Sequence, residues 1–257
     1  MRLIIDEPRR ASLNMAIDEM LMQEAAPCLR IYFWARPSIS IGYFQSVAET
    51  ARLFQCEKKN IPVVRRLTGG GLVHHHRDLT FSVILRSDNP FLPRDVKGSY
   101  LKVTEALRTG LTDIYHGLDY AKCEDASATR VKQKERICFE KLSCHDLLWN
   151  GRKVMGASQR RLHGVILHQS TVFLDEDKAA LAAKITQGFE KNWKISFREG
   201  PLTEGEIKKG REIETRRYSS SQWAFDACLP AGRLLPLLSS QNIRGNYKVV
   251  LRACGRS

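Results

Sequence analysis

The dipeptide Asn150-Gly151 stands between two strand-like runs, Asp146–Trp149 and Arg152–Ser158. A type I′ turn needs positive φ at both central positions, which Asn-Gly adopts at little steric cost, so these runs are expected to fold back as an antiparallel hairpin. Parallel neighbours would need a crossover instead. Other segments have the same character. Leu29–Ala35 and Ser38–Phe44 are rich in β-branched and aromatic residues and are split only by Arg36-Pro37, which predicts two tightly joined strands. Pro62–Arg66, Leu79–Leu85 and Val165–Leu174 read as further strands. Leu79–Leu85 alternates before turning apolar, as a half-buried strand does.

Helices are expected between them. Leu13, Ala16, Ile17, Met20 and Leu21 form a core-facing stripe over 12–26, with Ser12 as N-cap. Ser46 and Glu49 form a capping box that opens a helix to about Lys59, and Thr203 and Glu206 form another that opens one to about Arg217. Val96–Tyr115 and Asp177–Phe189 are helical by pattern, and the basic stretch Ala128–Arg136 reads as a surface segment. Irregular alternation, no internal repeat and no long linker predict an α+β domain: a mostly antiparallel sheet with flanking helices.

At 257 residues the chain is long enough to bury a sizeable core without staples. With 43% hydrophobic and 27% charged residues, it is neither a disordered nor a low-complexity polymer. Lys+Arg 41 against Asp+Glu 28 gives a formal charge of +13, which calls for an anionic partner: nucleic acid, a membrane surface or an acidic protein. The first ten residues carry an acidic pair and no signal-like apolar run. Nothing elsewhere approaches the roughly 20 apolar residues of a membrane span, so the reading is cytoplasmic with no membrane partner. Seven scattered cysteines without a CxxC pair fit neither a disulfide scaffold nor a structural zinc site.

Chemistry concentrates in two segments. In Arg65–Ser82, Thr68 precedes three glycines, Gly69, Gly70 and Gly71. Their lack of Cβ atoms lets backbone N–H groups approach a phosphate or acyl group closely, and Arg65 and Arg66 add positive charge; a tight hairpin loop without a ligand explains the glycines equally well. The segment is neither a Walker loop nor a Rossmann fingerprint. His74 and His76 share one face of a strand and His75 the other; with no third ligand nearby, no metal site is expected. In Cys138–Thr171, Lys153 leaves the Asn-Gly turn just before Gly156, and Cys138 follows Lys132, Lys134 and Arg136, whose charges favour a thiolate where they come close.

Together these segments resemble the catalytic domain shared by lipoate-protein ligases, biotin-protein ligases and octanoyltransferases. The likeness rests on Arg65–Gly71, His75, Ser82, Asp146, Gly151-Arg152-Lys153, Gly156, Arg160 and His168–Thr171, on Asn14–Leu21, on the Arg30–Tyr43 strand pair, and on Tyr218 and Trp223. It covers about residues 1–226, which implies one catalytic domain, with 227–257 as a short extension and no accessory domain. It also implies an acyl group of about eight carbons, octanoyl or lipoyl, as substrate, joined to a lysine of an acidic lipoyl carrier domain such as the glycine cleavage H protein or a 2-oxoacid dehydrogenase E2.

Two chemistries share that fold. Ligases use ATP and Mg to make an acyl-adenylate; octanoyltransferases need no cofactor and take octanoate from acyl carrier protein through a cysteine thioester. Cys138-Phe139 upstream of Ser143 resembles the CF..PS motif carrying one transferase class's nucleophile, and Asp78–Ser82 resembles its ELTYS run. Gly71 gives the TGGG form usual in ligases. The expectation is therefore an octanoyltransferase, with an ATP-dependent lipoate-protein ligase as the alternative. Cys138 and Lys153 are its catalytic residues, and Arg65, Arg66, Thr68, Gly69, Gly70, Gly71, His75, Gly156 and His168 bind substrate. His75 reads equally as a proton shuttle or a structural imidazole. The sequence departs from the family at His76, where an Asp is usual, and at Leu142, where Pro is usual; Cys144 is a second candidate thiol. A nucleic-acid-binding module is the weaker reading: the charge and Arg130–Arg136 support it, but no stacking platform or helix-turn-helix accompanies them.

Overall fold

The computed structural model describes residues 1–56, 58–122, 142–220 and Trp223. Cys138, the basic stretch Ala128–Arg136 and the extension 227–257 lie outside the described residues. In chain order the strands are β1 (Arg2–Ile5), β2 (Cys28–Tyr32), β3 (Ser38–Ile41), β4 (Val63–Arg65), β5 (Val73–His75), β6 (Leu79–Arg86), β7 (Leu118–Tyr120), β8 (Leu147–Trp149), β9 (Arg152–Leu162), β10 (Val165–Val172) and β11 (Arg198–Glu199). The helices are α1 (Ala11–Glu24), α2 (Val47–Leu53), α3 (Val96–Leu111), α4 (Lys178–Trp193) and α5 (Glu204–Ile213), the last running into a π turn, Glu214–Tyr218.

Eight strands form one sheet in the order β11-β1-β2-β6-β10-β9-β8-β7, antiparallel except where β1 meets β2 and β11. The expected α+β architecture with a mostly antiparallel sheet is what forms. Asn150 (φ 49°) and Gly151 (φ 75°) turn β8 into β9 as the dipeptide predicts. His163 (φ 50°) and Gly164 (φ 74°) make a second turn of the same sign pattern, so β9 continues past Ser158 to Leu162 before β10 begins.

Three strands assemble separately, β4-β3-β5. Here two expectations fail. Leu29–Ala35 and Ser38–Phe44 do not pair with each other: β2 joins the large sheet and β3 the small one, because Ile39 and Ile41 bury against Cys56, Leu72 and Phe54 in a core of their own. The glycine segment closes no tight hairpin either, since β4 and β5 lie on opposite sides of β3 and the segment crosses its end. Gly42, just past that end, lies against the crossing: a Cβ there would sit 2.0 Å from Gly70 O.

Helices cover both faces of the large sheet. Leu29, Ile31, Phe81, Val83 and Ile166 pack with Leu107, Ile185 and Phe189 of α3 and α4. Ile4, Tyr32, Ile84 and Leu167 pack with Ile17, Leu21 and Ile213 of α1 and α5. β6 is therefore buried from Leu79 to Leu85, not half-buried as its early alternation suggests. α3 and α4 approach through Gly110 and Gly188, where added Cβ atoms would fall 2.0 Å from Lys184 O and 2.2 Å from Ala106 O. Asp95 and Asp177 cap these helices, and the Thr203/Glu206 box forms as expected. Ser12 is not a cap: α1 begins at Ala11, and Ser12 Oγ donates to Glu214 Oε1 at 2.5 Å. α2 ends at Leu53, short of Lys59, and the side chain of Glu49, half of its expected box, lies outside the described residues.

Candidate active site

Cross-strand register makes the floor of the site. Residues paired across a sheet share a face, and two rows run over β2, β6, β10 and β9 on the α1 side: Arg30, Ser82, Gln169, Ser158, and then Tyr32, Thr80, Thr171, Gly156. Polar side chains here would be costly alone, so each finds a partner. Arg30, fully buried, donates to Asp18 Oδ1 at 2.6 Å and Asp6 Oδ2 at 2.7 Å, and its guanidinium lies 4.1 Å from the Tyr32 ring centroid. Asp18 Oδ2 accepts from Ser82 Oγ at 2.6 Å and Gln169 Nε2 at 2.7 Å.

A pocket opens above this floor, walled by Met15, Tyr32, Trp34, Gln169 and Thr171, by Ser40, Arg66, Gly70 and His75 from the small sheet, and by Ser143, Lys153, Gly156 and Ser158. Lys153 Nζ pairs with Asp146 Oδ2 at 2.6 Å, and Ser143 N donates to the same oxygen at 2.6 Å. Burial pushes the Asp146 carboxyl above its ordinary value, against the pull of the Lys153 ammonium. The pair is anchored at the start of β8 and in β9, so the Asn-Gly hairpin is what places the lysine in the pocket wall.

The glycine segment is held from two sides. Arg66 Nη2 donates to Gly69 O at 3.0 Å and Gly71 O at 2.8 Å, and Gly70 takes φ 83°, a conformation that favours glycine. Thr68 Oγ1 donates to Gln169 Oε1 at 2.6 Å and accepts from Ser158 Oγ at 2.9 Å. His75 Nδ1 lies 2.6 Å from Asp78 Oδ2 and Nε2 lies 2.6 Å from Ser40 Oγ, which accepts from Arg66 Nη1 at 2.7 Å. The ring stacks on Trp34 with centroids 3.7 Å apart. Burial lowers the proton affinity of His75, with Asp78 opposing. Asp78 stays low despite its own burial because His75 and the His76 N–H hold its charge. A carboxylate only accepts, so the neutral ring carries its proton on Nδ1. Asp78 thus holds the His75 ring in one tautomer, and His76, where the family's Asp is usual, is exposed.

Of the residues expected from sequence, Arg66, Gly70, His75, Lys153 and Gly156 meet in the pocket wall, and Thr68, Gly69 and Gly71 lie directly behind it. Two sit elsewhere. Arg65 is buried in a structural clasp, donating to Tyr43 O at 2.6 Å, Gln45 O at 2.5 Å and Trp223 O at 3.1 Å. His168 belongs to the opposite face of β10: period-2 alternation gives the pocket Gln169 and Thr171, and His168 packs against Phe81 and Tyr100, with centroids 6.5 and 5.3 Å apart. Its ring nitrogens lie 2.8 Å from Gln159 Nε2 and 2.7 Å from Ser170 Oγ, and burial pushes its pKa down to about 3. Cys144, the second candidate thiol, lies with its Sγ 3.6 Å from His145 Nε2.

Sequence reasoning missed Trp34, Ser40, Asp18 and Ser158 as parts of the site. One signal was present: a lone arginine inside the apolar run Leu29–Trp34 must bury a charge, which calls for carboxylates such as Asp18 on a neighbouring element. Among the described residues no cluster of three or more His, Cys, Asp or Glu side chains is arranged to hold a metal, and no helix is long and apolar enough to cross a membrane.

A family model described as the lipoyl protein ligase A/B catalytic domain matches residues 10–202. Octanoyltransferase LipM of Carboxydothermus hydrogenoformans is 31% identical, covering 82% of this chain and 93% of that protein. Octanoyltransferase LipM of Halalkalibacterium halodurans is 30% identical over 87% of this chain and 98% of its own length. Among solved structures, a lipoate-protein ligase A bound with ATP superposes with a TM-score of 0.72 at 25% identity, covering 89% of this chain and 99% of that one. A bipartite lipoate protein ligase from Thermoplasma acidophilum, described with its E2 lipoyl domain, shares the fold with a TM-score of 0.69 at 24% identity, covering 91% and 98%.

Proposed function

The chain belongs to the lipoyl protein ligase A/B catalytic-domain family, and from that premise we propose that it is an octanoyltransferase acting through Cys138. The observation that carries the reading is the 30–31% identity with LipM octanoyltransferases across most of both chains. The pocket agrees with it chemically, since a lysine with a buried side chain and a glycine segment flank a partly open pocket suited to an acyl carbonyl.

In the proposed first step the Cys138 thiolate attacks the thioester carbonyl carbon of an octanoyl carrier protein. The new C–S bond forms, the old one breaks, and the carrier thiolate leaves and takes up a proton. In the second step the neutral ε-amine of a lysine on an acidic lipoyl carrier domain attacks the acyl-cysteine. The amide C–N bond forms, the Cys138 thiolate departs, and the nitrogen gives up a proton. Lys153, steadied by Asp146, orients the acyl carbonyl. Arg66 draws the carbonyls of Gly69 and Gly71 to itself, which supports a role for the segment's N–H groups toward the oxyanion. His75 is engaged at both nitrogens, which supports the structural one of its two readings: it braces Ser40 and through it Arg66. The acyl tail adds binding at about 0.8 kcal/mol per buried CH₂.

One observation favours a second reading, an ATP-dependent lipoate ligase: the likeness to a ligase bound with ATP, together with Gly71. Transfer assays separate the two. With octanoyl carrier protein and a lipoyl domain, the proposal predicts modification without ATP. Modification that requires free lipoate and ATP would replace it with the ligase.

A further inference from the structure

The polar side chains behind the glycine segment form a chain whose direction is dictated at one end. Asp18, 1% exposed and paired with Arg30, presents a carboxylate that can only accept. The end of the Gln169 amide facing it at 2.7 Å is therefore the NH₂. That fixes Gln169 Oε1 toward Thr68, whose single hydroxyl proton must be donated there, at 2.6 Å. With that proton used, the 2.9 Å contact between Thr68 and Ser158 has one possible direction: Ser158 donates. Ser158 lines the pocket, so with its own proton turned inward it meets a ligand with oxygen lone pairs.

We propose that Asp18 is a positioning residue which, through Gln169 and Thr68, makes Ser158 Oγ a hydrogen-bond acceptor in the pocket, suited to an N–H of the substrate: that of the attacking amine and of the amide it becomes. The inference rests on the acyl-pocket reading above. It predicts discrimination by hydrogen-bond polarity. A ligand that places an N–H next to the acyl carbonyl is favoured over an isostere that places an ether-like oxygen there, because the isostere sets lone pairs against lone pairs.

The test uses two probes, N-butyloctanamide and its ester isostere butyl octanoate, with binding to the full chain measured calorimetrically. Wild type should bind the amide about fivefold or more tighter than the ester. Ser158→Ala should lose that preference, Ser158→Thr should keep it, and Asp18→Asn, whose amide can face Gln169 either way round, should weaken it. A preference that survives unchanged in Ser158→Ala or in Asp18→Asn overturns the proposal, as does a wild type that prefers the ester or shows no preference. If neither probe binds, the acyl-pocket reading itself fails and the proposal falls with it. Asp18 borders a buried arginine, so if Asp18→Asn does not fold, Thr68→Val provides the second variant. Valine leaves Ser158 Oγ no inward acceptor and frees its proton for the pocket, so it should also erase the preference; a preference unchanged in Thr68→Val overturns the proposal.

Discussion

Single side chains in this protein do two kinds of work that look alike in sequence. His75 and His168 are both fully buried and doubly hydrogen-bonded, yet one lines the pocket and the other faces the helical layer behind the sheet. His168 has a consequence for stability. Its folded pKa is about 3, and in the unfolded chain the ring titrates near about 6.5. Between those values the unfolded state binds more protons, so stability falls as the pH falls, by up to about 1.4 kcal/mol per pH unit. His168→Gln should therefore lose less Tm than wild type between pH 7 and pH 5, whatever its absolute stability; equal losses would show that the ring is not held neutral. Gly42 gives a second prediction. Ala at this position would push the Gly70 carbonyl aside, and on the proposed function such a shift of the glycine segment beside the acyl group should cut transfer about 10²-fold in folded protein. Side-chain identity pointed to Arg66, Gly70 and Lys153 directly. It could not show that Arg65, next to Arg66 and on the other side of its strand, serves as a clasp for Tyr43, Gln45 and Trp223. Nor could it show that Asp78 is the carboxylate that holds the His75 ring.

Elements were legible where local chemistry decides them. Asn150-Gly151 demanded a hairpin and received one; the Thr203/Glu206 box and the Asp177 cap follow from backbone groups a few residues away. Pairing of distant strands was not legible. Nothing local in Arg36-Pro37 says that β2 and β3 leave for different sheets, because that choice depends on which apolar partners each strand meets. The same holds for β6, which is covered on its second face by α3 and α4, elements far from it in the chain. The contact between these two helices makes the element-scale prediction. Gly188→Ala forces a Cβ onto Ala106 O at the α3–α4 crossing and should destabilise the fold by about 1–3 kcal/mol, read by chemical denaturation. Acyl transfer per folded molecule should be unchanged, since the site lies on the other face of the sheet. A large drop in specific activity would mean that the two faces are coupled.

For the molecule as a whole the formal charge of +13 is the widest-ranging property, and on the proposed function it serves encounter with acidic carrier domains. Fields of that kind act over a Debye length of about 10 Å at 0.1 M salt, so kcat/KM for a carrier-bound octanoyl group should fall severalfold from 50 to 500 mM salt. The rate with a small uncharged octanoyl thioester should hardly change, and equal salt sensitivity for the two donors would remove the steering argument. The fold class could be read from the alternation of elements, and the family from two motif segments. The site needed the structure, because it is assembled by cross-strand rows, Arg30-Ser82-Gln169-Ser158 above all, whose members are dispersed over more than half the sequence. The central claim remains the covalent route. Intact-mass measurement after mixing the full chain with octanoyl carrier protein, without ATP, tests it most directly: the account predicts a gain of one octanoyl group in wild type and none in Cys138→Ala, whereas an adduct that persists in Cys138→Ala, or no adduct in a wild type that still transfers octanoate, would contradict it.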